Sequence, residues 1–499
     1  MIELRPHQVE IVEAVRDSIR KGNKRVIIQA PCSTGKTVIA AHLLESAAMR
    51  KGKRAVMLCD RVRLVEQSCK TLDDAGLEGQ YSVMMSDHPL YDPRKLIQVC
   101  STQTAINKTD SIALAADLFI IDECHVLFKS VRELMLRWNN AVWVGLSATP
   151  LSKGLGAPGL FEDLITTITT PELMDKGWLC KTEYYQGHQI NLQGVRSIAN
   201  PTGGTDYDPK QIEKILMEDQ VLTGDVIKNF KKHAGDEKRG IAFSSSIAHS
   251  KALVQAMNDA GIKAAHIDGY MKLPDRQVLF DAHEAGDIQV LSTAKLLNTG
   301  YDASFIEVLL DLAPTKSKIR FCQTAGRLWR IHPGKEKAIY LDFCGNVKRH
   351  GFPELISAAV LDDGSKKYNE KSLVKKDKTE KEPILHTCPQ CSSLYKYRKC
   401  LACGYELPSN AKIYHDDQML EKVEKPSMKS KEQFYQELLA YSLLKGYSEG
   451  WCAHTYRLKF DVWPKNIERI PAKYVSEEVQ NFIKYKQIRD RHGRNTRAA

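Results

Sequence analysis

The chain has 499 residues, 43% of them hydrophobic, and carries 72 Lys and Arg against 61 Asp and Glu, a net charge of +11. That length supplies about three domains with ordinary cores. No apolar run approaches the ~20 residues that cross a bilayer, and the opening MIELRPHQVE is neither a signal nor a transit peptide, which excludes a membrane partner and predicts a cytoplasmic protein. The moderate basic excess suits a polyanion partner. Thirteen cysteines, an odd number, are scattered through apolar runs except for one cluster near the C-terminus. In a reducing compartment they read as buried thiols plus one metal site, with no disulfide framework.

Residues 4–20, LRPHQVEIVEAVRDSIR, have the spacing of an amphipathic helix with Pro6 in its first turn. Arg5 and Gln8 lie just upstream of the next strand. A glutamine amide can pair with both N6 and N7 of adenine, so Gln8 reads either as a base-selecting residue or as an ordinary surface glutamine. Residues 25–44, RVIIQAPCSTGKTVIAAHLL, read as strand, phosphate loop and helix. The loop Pro31, Cys32, Ser33, Thr34, Gly35 turns backbone N–H groups and a helix N-terminus toward phosphate oxygens, with Lys36 on the β/γ-phosphates and Thr37 on Mg²⁺. Ala30 stands where the first glycine of the G-x-x-x-x-G-K-[ST] pattern would be.

Strand-like runs at 55–60, 97–102, 118–122 and 141–147 alternate with helical segments, which predicts a parallel α/β sheet with helices on both faces. Residues 118–125, LFIIDECH, form an apolar run that delivers two carboxylates to the carboxyl edge of that sheet, where α/β proteins bind ligands. Asp122 is suited to hold Mg²⁺ and Glu123 to polarise an attacking water, since phosphoryl transfer asks mostly for positioning and charge stabilisation. Arg61, Ser101, Thr102, Ser147 and Thr149 gather at the same strand ends. They read as contacts to a phosphodiester backbone or as helix N-caps.

Residues 151–235 are less regular, and ANPTGGTDYDP at 199–209 reads as an exposed loop. Alternation resumes with strand runs at 240–245, 264–268, 288–292, 306–312 and 338–343, a second α/β domain without a phosphate loop of its own. It offers QTAGRLWR at 323–330, where Arg327 and Arg330, three apart, are expected on one helix face. An arginine supplied from the opposite wall of a cleft is worth ~10³ or more in phosphoryl-transfer rate, so a site completed between two domains is expected.

Residues 364–382 are lysine-rich and nearly devoid of apolar residues, a linker. Cys388, Cys391, Cys400 and Cys403 form two C-x-x-C pairs, a set that suits a closed, structural, tetrahedral Zn²⁺ site. Tyr395, Lys396, Tyr397, Arg398 and Lys399 between them serve either base stacking or the small core of a ribbon. Residues 431–445 and 449–460 read as two helices, the first stopped by Gly446. A hairpin closing on Trp451, Phe460 and Trp463 is preferred to a DNA-reading helix-turn-helix. A basic tail, 484–497, ends the chain.

In this order the motifs resemble the core of superfamily 2 DEAD/DEAH-type helicases, two tandem RecA-like parallel-sheet domains, over residues 2–355. Gln8 resembles the adenine-contacting glutamine of that family, residues 30–37 its motif I, 60–67 motif Ia, DECH at 122–125 motif II and 147–149 motif III. Residues 244–246 are similar to motif IV, 299–302 to motif V and 323–330 to motif VI. The DECH box, NTGYDAS at 298–304 and LDFCGNVKRHG at 341–351, followed by a cysteine module, look most like RadD-type bacterial DNA-repair helicases and their phage relatives. Motif I is PCSTGKT where PTGSGKT is usual, with Cys32 and Ser33 replacing a threonine and a glycine. The likeness implies RecA-like domains at 1–172 and 173–360, a charged linker at 361–383, a zinc ribbon at 384–410 and a helical domain with a basic tail at 411–499. It implies ATP hydrolysis with Mg²⁺, coupled to movement on single-stranded, forked or branched DNA in replication, repair or recombination. RNA, and a single-strand-binding or recombination protein, are the further partners it admits. An RNA helicase and a nucleotide-gated clamp that does not unwind are the alternative activities. By the same likeness Gln323, Arg327 and Arg330 reach the γ-phosphate or its water, and Gly300 and Asp302 lie near the ribose. His125, Ser147 and Thr149 couple the nucleotide to the nucleic-acid surface, and Arg61, Thr102, Ser245 and Thr299 contact the backbone.

Overall fold

The computed structural model describes residues 3–60, 62–85, 88–108, 111, 114–126, 129–186, 190, 192, 194–199, 204–218, 220–235, 237–294, 303–365, 386–387, 394–395, 421–423, 431–445, 447–460, 464, 469–472, 475–476, 479–480 and 482–483. The first lobe runs α1 (Pro6–Arg20), β1 (Arg25–Gln29), α2 (Lys36–Glu45), β2 (Ala55–Cys59), α3 (Val62–Asp74), β3 (Tyr81–Met84), β4 (Ile97–Ser101), α4 (Thr102–Asn107), β5 (Leu118–Ile121), α5 (Lys129–Arg137), β6 (Val142–Ser147) and β7 (Asp163–Ile165). Its seven strands lie in the order β3-β4-β2-β5-β6-β1-β7, all parallel. Strands such as RVIIQ and AVMLC are buried along their whole length because helices cover both faces, the pattern that parallel sheets require. The register pairs Gln29 with Ser147, and Cys59 with Ser101, so the strand ends fall on one edge.

The second lobe runs α6 (Thr170–Asp175), β8 (Lys181–Gln186), β9 (Ser197–Ala199), β10 (Thr205–Tyr207), α7 (Pro209–Glu218), α8 (Gln220–Ala234), β11 (Gly240–Ser244), α9 (Ile247–Asp259), β12 (Ala264–Ile267), α10 (Leu273–Ala285), β13 (Val290–Thr293), β14 (Val308–Leu312), α11 (Lys318–Ala325), β15 (Lys337–Asp342) and α12 (Asn346–His350). Beyond these lie β16 (His386–Thr387), β17 (Leu394–Tyr395), β18 (Glu421–Val423), α13 (Lys431–Lys445) and α14 (Glu449–Phe460). The second sheet has the order β12-β13-β11-β14-β15-β8-β18, parallel except for β18.

Several expectations are corrected. Strands β3, β7 and β8 add to those read from alternation; β8, KTEYYQ, escaped because its exposed and buried residues alternate with charges among aromatics rather than forming an apolar run. The segment taken for an exposed loop contains β10 and the last residue of its partner β9, and its Asp206 accepts hydrogen bonds from the Thr315 hydroxyl (2.7 Å) and the Lys316 N–H (2.8 Å). The lobes do not divide at 172 and 360. Ile168, Leu173 and Met174 already pack in the second core, while Ala358 and Leu361 return to the first, where Gln29 bonds both the N–H and the carbonyl of Ala358. Nor is 411–499 wholly helical, since β18 pairs with β8 as the last strand of the second sheet. Helices α13 and α14 close on Phe434, Tyr435, Leu438, Cys452 and Tyr456, with Trp451 at the rim. Residues 365–418 form a separate compact unit, in which β16 and β17 pair antiparallel on either side of Cys388 and Cys391. Among the described residues no helix is long and apolar enough to cross a membrane.

Candidate nucleotide site between the lobes

The phosphate loop leaves β1 and enters α2 through two left-handed residues, Ser33 (φ 65°) and Gly35 (φ 79°). For a non-glycine residue such as Ser33 that conformation costs of order 1–3 kcal/mol, strain of the kind that clusters at ligand clamps. The Thr34 hydroxyl ties back to the Pro31 carbonyl at 2.8 Å, and Lys36 and Thr37 occupy the first turn of α2. A Cβ on Gly35 would sit 2.6 Å from Gln8 Nε2, so glycine is needed here for space as well as for φ. Gln8 is buried, donates to the Thr34 carbonyl (3.0 Å) and accepts from the Arg5 N–H (2.9 Å). Its amide therefore ties the N-terminus of α1 to the phosphate loop, and its burial corrects the alternative of a surface residue. Arg5 lies over the ring of Trp178 at 4.8 Å, with the buried His7 ring 5.8 Å from it. Trp178 had no motif to mark it.

Glu123 and Asp122 follow β5. The Asp122 N–H donates to Leu58 O (2.9 Å), its carboxylate accepts from the Glu123 N–H (3.0 Å), and Glu123 is the other non-glycine residue at positive φ (49°) among those described. His125 Nδ1 stands 3.1 Å from Glu123 Oε2 and 3.0 Å from Ser147 Oγ, which accepts the Thr149 N–H at 3.1 Å. Burial and then the neighbouring Glu123 charge push Asp122 up to about 6. Glu123 resists the same burial and is held down at about 2 by His125 and the Lys36 ammonium. The pair is thus differentiated, one carboxylate kept firmly ionised next to a cation. The Thr37 hydroxyl and the Asp122 carboxylate are hard oxygen donors of the kind Mg²⁺ takes, so the donor set fits that ion.

The second lobe supplies the opposite wall. Helix α11 ends at Ala325, and the chain continues through tight turns (Arg327 N–H to Thr324 O, 3.2 Å; Trp329 N–H to Gly326 O, 3.3 Å), so Arg327 and Arg330 do not share a helix face as expected. The break falls where the lobes touch. A Cβ on Gly326 would lie 2.6 Å from Cys32 Cβ, and Ser33 Oγ donates to the Gly326 carbonyl at 3.3 Å. Gln323 Nε2 stands 3.4 Å from His125 Nε2. Burial pushes the Cys32 thiol up, while Lys36 from one lobe and Arg327 and Arg330 from the other oppose that rise. The structure therefore brings Lys36, Asp122, Glu123, His125, Gln323, Arg327 and Arg330 around one loop.

Other predicted residues behave differently. The Thr102 hydroxyl is buried and donates to Cys59 O (3.1 Å), so it braces two strand ends rather than facing a polynucleotide. Ser245 Oγ turns inward to His249 Nδ1 at 3.2 Å. Arg61, Thr299, Gly300, Asp302, Cys388, Cys391, Cys400, Cys403, Phe460 and Trp463 lie outside the residues whose side chains are described. Asp311, Asp342 and Cys344 approach one another within 4.8 Å, a metal-like group. The Asp342 oxygens are taken by the N–H groups of Cys344, Asn346 and Val347, and the Asp311 oxygens by Tyr340, Asn346 and Ala313, so the cluster is a hydrogen-bonded staple.

Residues 1–152 match the family model for the res subunit of type III restriction enzymes, and residues 223–332 that for the helicase conserved C-terminal domain. The chain is 26% identical over 418 residues to a 51.5 kDa protein of Lactococcus phage (isolate 7-9), covering 81% of this chain and 84% of the relative. It is 25% identical over 360 residues to a Saccharomyces cerevisiae protein designated an ATP-dependent helicase, IRC3, covering 68% of this chain and 51% of that one. With ATP-dependent DNA helicase uvsW of Enterobacteria phage T4 the identity is 22% over 343 residues, 66% of this chain and 67% of the relative. Among solved structures, a fragment assigned as the HsdR subunit of a type I restriction enzyme from Vibrio vulnificus YJ016 superposes with a TM-score of 0.53 at 20% identity, covering 72% of this chain and 69% of that one, which establishes a shared fold.

Proposed function

We propose, from the premise that this chain belongs to the superfamily 2 helicases of the DEAD/DEAH type and hydrolyses ATP, that it couples hydrolysis in the cleft between its lobes to movement on or remodelling of DNA. The observation that carries the coupling is the approach of Gly326 and Gln323 of one lobe to Cys32, Ser33 and His125 of the other. Lys36 and the loop N–H groups bind the β/γ-phosphates. Thr37 and Asp122 would hold Mg²⁺, which neutralises phosphate charge when bound. Glu123, kept ionised, orients the water, and Arg327 and Arg330 answer the charge that develops on the γ-phosphate. His125 contacts Glu123, Ser147 and Gln323 together, so the loss of the γ-phosphate can be felt at the end of β6 in the first lobe and at helix α11 of the second.

A role in repair or recombination rests on the likeness of residues 298–304 and 341–351 to RadD-type helicases, and DNA as substrate on that likeness and on the DNA helicase named above. Cys388, Cys391, Cys400 and Cys403 are proposed to hold one structural Zn²⁺. Four thiolates are the donor set that ion takes, and the β16–β17 pairing flanks the first two. The test is ATP turnover with matched single-stranded DNA, duplex, fork and RNA. Stimulation by DNA above RNA is expected, together with loss of turnover in Lys36→Ala. Equal turnover with and without any nucleic acid overturns the motor, and stimulation by RNA alone overturns the DNA assignment.

A further inference from the structure

Strands β12, β13 and β11 are neighbours and parallel, so their carboxyl ends lie side by side on one edge of the second sheet. With strands ~4.8 Å apart, the loop after β12 stands roughly 10 Å from the one after β11, which begins with Ser245 and Ser246. It projects Tyr270 into solvent, 89% exposed, the most exposed large hydrophobic side chain among the described residues. Lys272, exposed, and Leu273, 70% exposed, follow it.

The ring is exposed, but the turn that carries it is pinned. Asp268 Oδ1 accepts the N–H groups of Tyr270 (2.8 Å) and Met271 (3.2 Å), and Arg276 Nε donates to the Met271 carbonyl at 3.0 Å. Asp268 Oδ2 lies 3.0 Å from His266 Nε2, His266 Nδ1 2.7 Å from Ser250 Oγ, Ser250 Oγ 2.7 Å from Ser292 Oγ, and Ser292 Oγ 3.3 Å from Ser244 Oγ. A carboxylate only accepts, so His266 donates from Nε2 to Asp268, while its Nδ1 pairs with the Ser250 hydroxyl. Every member of this chain is buried. It is no hydrolytic triad, because the serine has no access to a substrate. What it does is lock the three strand ends that precede the loops after β11, β12 and β13 into one rigid unit, with an aromatic ring standing out of it.

We propose that Tyr270 is a stacking platform for a base of single-stranded nucleic acid crossing this edge of the second lobe. An exposed aromatic on a rigid turn gives a base a flat, sequence-tolerant face at little ordering cost, and Lys272 beside it neutralises a phosphate. A contact to the base face discriminates single strands from duplex, where the faces are already stacked, which backbone contacts do not do. The inference rests on the nucleic-acid reading above and adds the part of the polymer that is gripped.

The test is binding of a fluorescent oligo-dT, and of the same backbone carrying abasic sites, to the full chain and to Tyr270→Ala and Tyr270→Phe. Wild type is expected to bind the intact strand at least about fivefold more tightly than the abasic one, Tyr270→Ala to lose that ratio, and Tyr270→Phe to restore it. The exposure of the ring means the variants keep the melting temperature of the parent. Tyr270→Ala binding oligo-dT as tightly as wild type overturns the platform and leaves the motor standing. Wild type failing to bind either strand overturns the motor reading and the platform with it.

Discussion

Both lobes carry a seven-stranded sheet whose parallel strands end along one edge, and they use those edges in opposite ways. In the first, the chain leaves β1 and β5 through Ser33 and Glu123, both at positive φ, and places a carboxylate pair next to a lysine. In the second, the ends of β14 and β15 place a carboxylate pair as well, but Asp311 and Asp342 are filled with hydrogen bonds from Tyr340, Asn346 and neighbouring N–H groups. One edge stores strain and charge for a ligand to use, while the other is saturated and stiff. The architecture does not decide which edge does chemistry; the loops do. A stiff second lobe can present Arg327 and Arg330 as a unit, and on the proposed reading that is how two similar sheets divide one reaction.

The sharpest way to break this division is to remove one group from each side. Glu123→Gln and Arg327→Ala should each lower kcat by about 10³-fold or more while ATP still binds, as measured by turnover against equilibrium nucleotide affinity. If only Glu123→Gln has that effect, the second lobe does not take part. A smaller effect, about 10- to 100-fold on kcat, is expected for Gly326→Ala, because the added methyl meets Cys32 at 2.6 Å and holds the walls apart. Pairing it with Cys32→Gly should recover most of the rate, which a simple folding defect would not.

The stiffness of the second lobe gives a gentler test. Burial, then the charge of Asp311, pushes the Asp342 carboxyl from its ordinary 3.8 up to about 6. A raised pKa in the folded state means that protonation favours the native form, so this contribution is complete below about pH 4 and is lost as the pH rises through about 6. Its size is at most about 3 kcal/mol, and Asp342→Asn should flatten the fall in melting temperature between pH 4 and 7. For the cysteine module, metal analysis should find one zinc per chain, lost in Cys388→Ser, with ATP turnover by the two lobes little changed.

Legibility followed the same contrast. The loop at 31–37 and the box at 122–125 could be read from sequence because phosphate and metal chemistry demand fixed residue types at fixed spacing. Helices α1 and α13 fell where expected, and so did the apolar strands β1, β5 and β11. Strand β8 and the pair β9–β10 did not, since β8 mixes charged with aromatic residues, and β9 and β10 are three-residue strands that are largely exposed. Local spacing put Arg327 and Arg330 on a helix, but tertiary contact with Cys32 ended that helix at Gly326. Gln8 read either as a base reader or as a surface residue, and only the fold shows that it is buried against the phosphate loop. Trp178 and the chain from Ser244 to Asp268 had no sequence signal, because their meaning comes from neighbours distant along the chain.

The most direct measurement is a structure with a non-hydrolysable ATP analogue and Mg²⁺. The account predicts the γ-phosphate held on one side by Lys36 and on the other by Arg327 and Arg330, with Glu123 facing the in-line water. A γ-phosphate touched only by the first lobe, with both arginines turned away from it, would contradict the claim that the site is completed across the cleft.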